Sequence, residues 1–122
     1  MAASSATLHE DPQVLSNETK DRHRAIVSIM EELEAIDWYD QRVQGATDPE
    51  LAAILAHNRD EEKEHAMMTL EWLRRHDAKL DQHMRTYLMK DKPPLEIEHE
   101  KDAGAGGGDG SLGIGSLQRK PS

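Results

Sequence analysis

Seven residues near the middle of the chain decide its fold: Gln44-Gly45-Ala46-Thr47-Asp48-Pro49-Glu50. The first four form a short loop. Thr47, followed by Glu50 three residues later, has the pattern of a capping box in which Thr47 is the N-cap, and Pro suits the first turn of the helix that follows. Long helical patterns lie on both sides of this loop, and a connection of about four residues makes such helices run antiparallel. The sequence therefore predicts a helical hairpin.

The helices of this hairpin are bounded by recognisable start and stop signals. A first helix is predicted from about Ser16–Thr19 to Val43, and a second from Asp48 to about His76. Asp77 can cap a shorter third helix through roughly Met89, and Pro93-Pro94 prevents its continuation. A hairpin buries only one side of each helix. We therefore expect an all-α chain that pairs with a second copy into a four-helix bundle.

Changes in composition divide the chain into four parts. Residues 1–15 are predicted to be a flexible lead, and residues 16–92 hold the hairpin with its short third helix. Residues 93–110 are acidic and then Gly-rich, which is typical of a flexible linker. Residues 111–122 carry three spaced apolar residues, Leu112, Ile114 and Leu117, before a basic end. Apolar residues in such a tail indicate a docking peptide, the alternative being a tail without function.

Composition also limits the classes of function. Hydrophobic residues are 36% of the 122 residues and aromatic residues 3%, so the core is small and we expect chains to associate. The net charge of -9 disfavours nucleic-acid and anionic membrane surfaces and suits the attraction of cations, although solubility alone also explains it. The absence of Cys excludes disulfides and thiolate metal sites. No apolar run reaches the roughly 18–20 residues of a membrane span, and residues 1–12 lack a secretory signal pattern, which favours the cytoplasm.

Two glutamates and one histidine fall on the predicted inner faces of the two long helices, where apolar residues are expected. Glu32 lies in the middle of the inner face of the first helix, and Glu62 and His65 lie one turn apart on that of the second. Other acids of the second helix, including Glu61, fall to the side or behind, and Arg59 lies on the flank with its charge reaching water. A buried carboxylate is costly unless it is paired or bound to metal. We name Glu32, Glu62 and His65 the inner ligand set.

Two carboxylates and one imidazole suit iron or manganese better than copper or structural zinc. Di-metal helical bundles use one Glu from each of two helices and a Glu-x-x-His pair from each of two others. The inner ligand set is half of that arrangement, so two chains related by a two-fold axis would complete it. The alternative is a hydrogen-bonded Glu62–His65 couple in a metal-free bundle. Glu-x-x-His alone is a weak signal, because Glu96 and His99 match it inside the predicted linker.

Four further residues of the first helix are candidates for the same chemistry. Tyr39 shares the face of Glu32, and its hydroxyl either approaches the metal or only packs at the rim. Glu31, Glu34 and Trp38 share the opposite side, where they form either a site that attracts cations or an exposed acidic face. We name these last three the outer acidic set.

Three stretches of the predicted hairpin resemble the encapsulated ferritins, and one stretch of the tail resembles the peptide that loads cargo into encapsulin nanocompartments. They are Met30-Glu-Glu-Leu-Glu-Ala-Ile-Asp-Trp-Tyr-Asp-Gln-Arg-Val43, His57-Asn-Arg-Asp-Glu-Glu-Lys-Glu-His65 and Met68-Thr-Leu-Glu-Trp-Leu-Arg-Arg75, with Gly110-Ser-Leu-Gly-Ile-Gly-Ser-Leu117 in the tail. The resemblance implies a ferritin-like bundle formed by two chains and a ring of five such dimers. It also implies that the inner ligand set binds two irons across the dimer interface, beside Tyr39. The outer acidic set matches a secondary site where cations enter, with Trp38 adjacent rather than a ligand, and calcium or other divalent ions could bind there.

The expected function is that of a ferroxidase, which oxidises Fe(II) to Fe(III) with dioxygen or peroxide. The resemblance implies that it is carried as cargo, through residues 111–122, inside a cytoplasmic encapsulin shell that stores the iron mineral. Two alternatives remain open at this point. One is a di-iron oxidase that removes peroxide, and the other is a metal-free helical adaptor.

Overall fold

A computed structural model describes residues 7–108 of the chain, and the side chains of residues 7–104. These residues form four α-helices and no strand, so the predicted all-α class is confirmed. The helices are α1 (Asn17–Gly45), α2 (Pro49–Arg75), α3 (Ala78–Tyr87) and α4 (Pro94–Gly108). The predicted docking peptide, residues 111–122, lies outside the described residues and stays a prediction. The chain divides into two compact units, one ending at Ala78 and the other beginning at Lys79.

The first unit begins with a capped helix. The Ser16 hydroxyl accepts a hydrogen bond from the backbone N–H of Thr19 at 3.1 Å, which satisfies one of the free donors at the start of α1. At the other end, the Ala46 N–H donates to the Arg42 carbonyl at 2.9 Å and closes the last turn. The predicted first helix is therefore confirmed, extended at its C-terminal end to Gly45.

The cap of α2 differs from the prediction by one residue. Asp48, not Thr47, is the N-cap, and its side chain accepts from the Leu51 N–H at 2.9 Å. The position of Pro49 explains the difference. Pro49 is the first residue of the helix, and a proline is tolerated there because the N–H that it lacks would have no partner within the helix. Both residues are good caps by type, so the proline decides between them.

The two long helices pack against each other with a very small core. Only Ala25, Ala66 and Leu73 are buried among the hydrophobic residues described, and two of these are alanines, which let the helices approach closely. Two polar links also cross the hairpin. Arg59 donates to Asp40 at 3.0 Å near the loop, and Arg22 donates to a backbone carbonyl at the end of α2 at 3.4 Å.

The Arg59 link corrects an expectation about that residue. Its side chain is only 23% exposed, and it pairs with Asp40 of α1 and Asp60 of α2 at 3.0 Å each, instead of carrying its charge freely into water. The hydrogen bonds to these two carboxylates raise the pKa of Arg59, and the bond to Asp60 has the larger effect. Arg59 therefore joins α1 to α2 three residues before Glu62.

The second unit contains a helix where the sequence predicted a flexible linker. Residues 94–108 form α4 within the predicted linker 93–110. Pro94 occupies the first position of that helix, and the carbonyl of Pro93 accepts from Glu96 and Ile97 N–H groups at 3.0 and 3.1 Å. Lys92 adds a contact with both carboxylate oxygens of Glu100, at 2.9 and 3.1 Å. The prolines thus begin the next helix, and α3 has already ended at Tyr87, six residues before Pro93. None of the described helices is long and apolar enough to span a membrane.

Candidate metal centre

Glu32 is held in α1 with one carboxylate oxygen shut off from water and left without a partner. Its Oε1 atom is buried and accepts no hydrogen bond from any described group. Burial, and next the negative charge of Glu62, raise the pKa of Glu32, while His65 opposes the shift and Glu31 adds to it. An orphaned carboxylate oxygen is expensive to keep in a folded protein. A bound cation would remove that cost.

Glu62 and His65 face each other one turn apart on α2. His65 Nδ1 lies 3.7 Å from Glu62 Oε1, and both side chains are partly exposed. The charges of both residues act on the Glu32 carboxyl, so the hairpin brings all three members of the inner ligand set within electrostatic range of one another. The wheel-based prediction of their common face is consistent with this arrangement.

A single chain does not form a finished site. Within the described part of the chain, no three His, Asp or Glu side chains are grouped closely enough to hold a metal ion. The donor types nevertheless fit iron, because two carboxylates and an imidazole form a hard set with one nitrogen. One chain offers three donors where a di-metal bundle uses six. The geometry of one chain therefore agrees with a half-site and leaves its completion to a partner.

The side of α2 that carries His65 also carries uncovered apolar residues. Ile54 and Met68 fall beside His65 on the helix wheel and are 51% and 60% exposed. Leu51 and, on α1, Leu33 are similarly exposed. Apolar side chains left open next to a candidate site are typical of a surface that another chain covers. This is the surface on which we expect a second copy to pack.

The predicted accessory residues lie on α1, and an arginine links two of them. The Arg42 guanidinium carbon lies 5.9 Å from the centre of the Trp38 ring and 5.5 Å from that of Tyr39, so one cation contacts both rings. Tyr39 is partly buried, and its role beside a metal stays a prediction.

The three side chains of the outer acidic set differ in their exposure to water. Trp38 is 48% exposed, Glu31 is exposed and Glu34 is partly buried. The charge of Glu31 also raises the pKa of Glu32 and is the smallest of the causes that act on it. Whether a cation binds at the outer acidic set stays a prediction.

One residue beside the site was missed by the sequence interpretation. Glu61 was placed to the side of α2, yet its Oε1 atom lies 3.9 Å from His65 Nε2, and its Oε2 atom lies 4.0 Å from His57 Nε2. The signal was present in the sequence as a spacing of four residues to each histidine, which brings side chains together on a helix. A helix wheel separates the inner face of α2 from its outer face, and Glu61 lies on the border between the two faces.

Replacing Glu32 by glutamine is expected to raise the thermal midpoint of the metal-free protein at neutral pH. The raised pKa means that the folded chain holds the Glu32 proton more tightly than the unfolded chain, so the stability of the wild type falls as pH rises above 4.5 through the raised pKa. Glutamine carries no charge and escapes this loss.

Calorimetry after chelator treatment measures this effect at several pH values. The advantage of Glu32→Gln should be largest at neutral pH and should shrink as the buffer approaches pH 4.5, where the wild-type carboxyl is increasingly neutral. Glu64→Gln, at an exposed position in the middle of α2, is the control and should change little. An advantage that stays constant with pH would show that charge is not its cause.

The chain is similar to several known proteins. The family described as EncFtn-like matches residues 7–91, which contain α1, α2 and α3 and the whole inner ligand set. An encapsulated ferritin-like protein of Rhodospirillum rubrum is 63% identical over 129 aligned positions, covering 97% of this chain and 92% of the relative. A ferritin-like protein of Thermotoga maritima is 49% identical over 109 positions, covering 89% and 96%. A crystal structure of a protein from Nitrosomonas europaea is similar with a TM-score of 0.68 and 59% identity, over 70% of this chain and 94% of that one.

Proposed function

Because this chain belongs to the EncFtn-like family, we propose that it is a ferroxidase whose di-iron centre is formed by the inner ligand sets of two chains. Its substrate is Fe(II), and its product is Fe(III). The observation that carries the proposal is the buried, unpartnered oxygen of Glu32 beside Glu62 and His65. A buried oxygen of this kind is stabilised by a cation, and the neighbouring carboxylate and imidazole are further ligands for the same ion.

Each residue of the inner ligand set has a distinct part in binding the substrate. Glu32 and Glu62 provide carboxylates from facing helices, and His65 provides the nitrogen donor one turn beyond Glu62. When two Fe(II) ions are bound, each can pass one electron to an oxidant, either dioxygen or peroxide. Iron binds the deprotonated carboxylate of Glu32, and burial and the charge of Glu62 raise the pKa of that carboxyl, so iron affinity should increase as pH rises through that pKa. Tyr39, on the same face, is assigned to orient a ligand.

The outer acidic set is proposed to attract cations on their way to this centre. Glu31 and Glu34 provide negative charge on the far side of α1, with Trp38 beside them. Calcium or other divalent ions would occupy the same place, because two carboxylates select charge more than identity. The net charge of -9 supports such attraction over a longer range.

Partners and location follow from the same assignment. A dimer is needed for six ligands, and we propose that five dimers form a ring. The relative from Rhodospirillum rubrum is called an encapsulated ferritin-like protein. Together with the apolar tail of residues 111–122, this supports a chain that is carried inside an encapsulin shell in the cytoplasm. The shell, having a closed interior, would store the mineral.

The proposal is tested by adding Fe(II) to the metal-free protein without oxygen and then admitting air or peroxide. Ferric absorbance should rise much faster than in protein-free buffer, and sedimentation should show that the active species contains at least two chains. Consumption of peroxide without a matching formation of Fe(III) would favour a peroxide-removing oxidase. A rate equal to that of the buffer would rule out the ferroxidase and leave a helical adaptor.

A further inference from the structure

We propose that Glu61 positions His65 for metal binding by accepting a hydrogen bond from the ring nitrogen that faces away from Glu62. The proposal deepens the ferroxidase assignment and rests on it. His65 Nδ1 lies 3.7 Å from Glu62, and His65 Nε2 lies 3.9 Å from Glu61 Oε1. The two nitrogens of one imidazole therefore face two different carboxylates.

The two nitrogens have different tasks once a metal is bound. A histidine that ligates a metal through one nitrogen has its other nitrogen protonated, and that N–H is almost always donated to a carboxylate, carbonyl or water. Glu62 belongs to the inner ligand set, so the nitrogen on its side, Nδ1, is the one directed to the metal. Nε2 then carries the proton, and Glu61 is the carboxylate within its reach.

The separation of Glu61 and His65 matches this assignment for a chain without metal. At 3.9 Å it is longer than a hydrogen bond, and both side chains are exposed enough to turn, with 44% of His65 and 50% of Glu61 accessible. Contacts of this kind tighten when the ligand arrives. The spacing of four residues on one helix keeps the two groups adjacent in either state.

A second histidine lies near the other oxygen of Glu61. His57 Nε2 lies 4.0 Å from the other oxygen of Glu61, so the carboxylate stands between two imidazoles along one line of α2. Each oxygen of Glu61 thus has its own neighbour. One orientation of the Glu61 carboxylate therefore places one oxygen near His65 and the other oxygen near His57.

The test uses the full-length assembled protein and Co(II), whose visible absorption bands report the ligands around the ion and which does not depend on turnover. Glu61→Ala is expected to weaken Co(II) binding by about 10–100-fold and to change the shape of the bands, which is the usual cost of losing such a partner. Glu61→Gln keeps an oxygen acceptor and should stay within about threefold of the wild type. Glu64→Ala removes the same charge from an exposed neighbouring position, which faces the groove beside Met67 and Trp72, and should bind as the wild type does.

Three outcomes separate the possible explanations. Wild-type affinity and spectrum in Glu61→Ala, together with lost binding in Glu32→Ala, would overturn the role of Glu61 and leave the ferroxidase centre standing. Equal losses in Glu61→Ala and Glu64→Ala, or in Glu61→Ala and Glu61→Gln, would show an effect of net charge and also overturn it. Unchanged binding in Glu32→Ala would reject the centre itself. Sedimentation of each variant checks that assembly is preserved.

Discussion

Replacing Glu32 by alanine is expected to lower the rate of Fe(II) oxidation by roughly 100-fold or more, because losing a residue that only orients a metal ligand already costs about 10–100-fold and Glu32 would contact the metal directly. Glu32 is the carboxylate whose oxygen is buried without a partner, and it is the only member of the inner ligand set that α1 contributes. Without it, a pair of chains retains the two Glu62–His65 couples and loses the ligands that face them. The initial rate of ferric absorbance after air is admitted measures the loss.

A matched control separates loss of a ligand from loss of charge. Glu18→Ala removes an exposed carboxylate from the same helix and should oxidise iron at the wild-type rate. Circular dichroism and sedimentation of both variants should match the wild type, since truncating Glu32 removes an unfavourable buried charge and leaves the three core residues in place. A wild-type rate in Glu32→Ala would contradict the ferroxidase proposal.

Removing residues 111–122 is expected to abolish co-purification with a co-expressed encapsulin shell while leaving iron oxidation unchanged. Burying an apolar side chain contributes about 1.5–3 kcal/mol, so losing Leu112, Ile114 and Leu117 would remove on the order of 5 kcal/mol, a change of several thousandfold in affinity. These residues lie outside the described part of the chain, far in sequence from the inner ligand set. The amount of protein that remains with the purified shell measures co-purification, and the rate of Fe(II) oxidation in air measures activity.

A finer variant shows which part of the tail matters. Replacing Leu112, Ile114 and Leu117 together by serine keeps the length and the basic end, and should release the protein as fully as the deletion does. Removing only residues 118–122 keeps the three apolar residues and should preserve most of the binding. Retention of the serine variant in the shell would disprove docking through apolar contacts.

Much of the fold followed from local signals. Ser16 and Pro49 mark the starts of α1 and α2 because capping and the missing N–H of proline act within a single turn. The choice between Thr47 and Asp48 as the cap was not decidable by residue type, because both side chains can accept the same hydrogen bond. The helix α4 escaped prediction because composition suggested a linker, whereas the contact of Lys92 with Glu100 spans eight residues.

The candidate site was predictable to the extent that it depends on helix phase. Glu32, Glu62 and His65 were singled out because the wheel gives the direction of each side chain from its number alone. The neighbours of these residues were not, because the contact of Glu61 with His65 and the link from Arg59 to Asp40 depend on how long side chains bend. The orphaned oxygen of Glu32 likewise depends on packing between two helices.

The small core of the hairpin has a consequence for the life of the protein in the cell. With Ala25, Ala66 and Leu73 as its buried residues, a newly made chain that has not met a second copy gains little stability from its own contacts. Such a chain opens readily, and open chains are the ones that proteases degrade. We therefore expect orphan chains to be cleared quickly and paired chains to persist, so that the amount that accumulates depends steeply on the rate of synthesis.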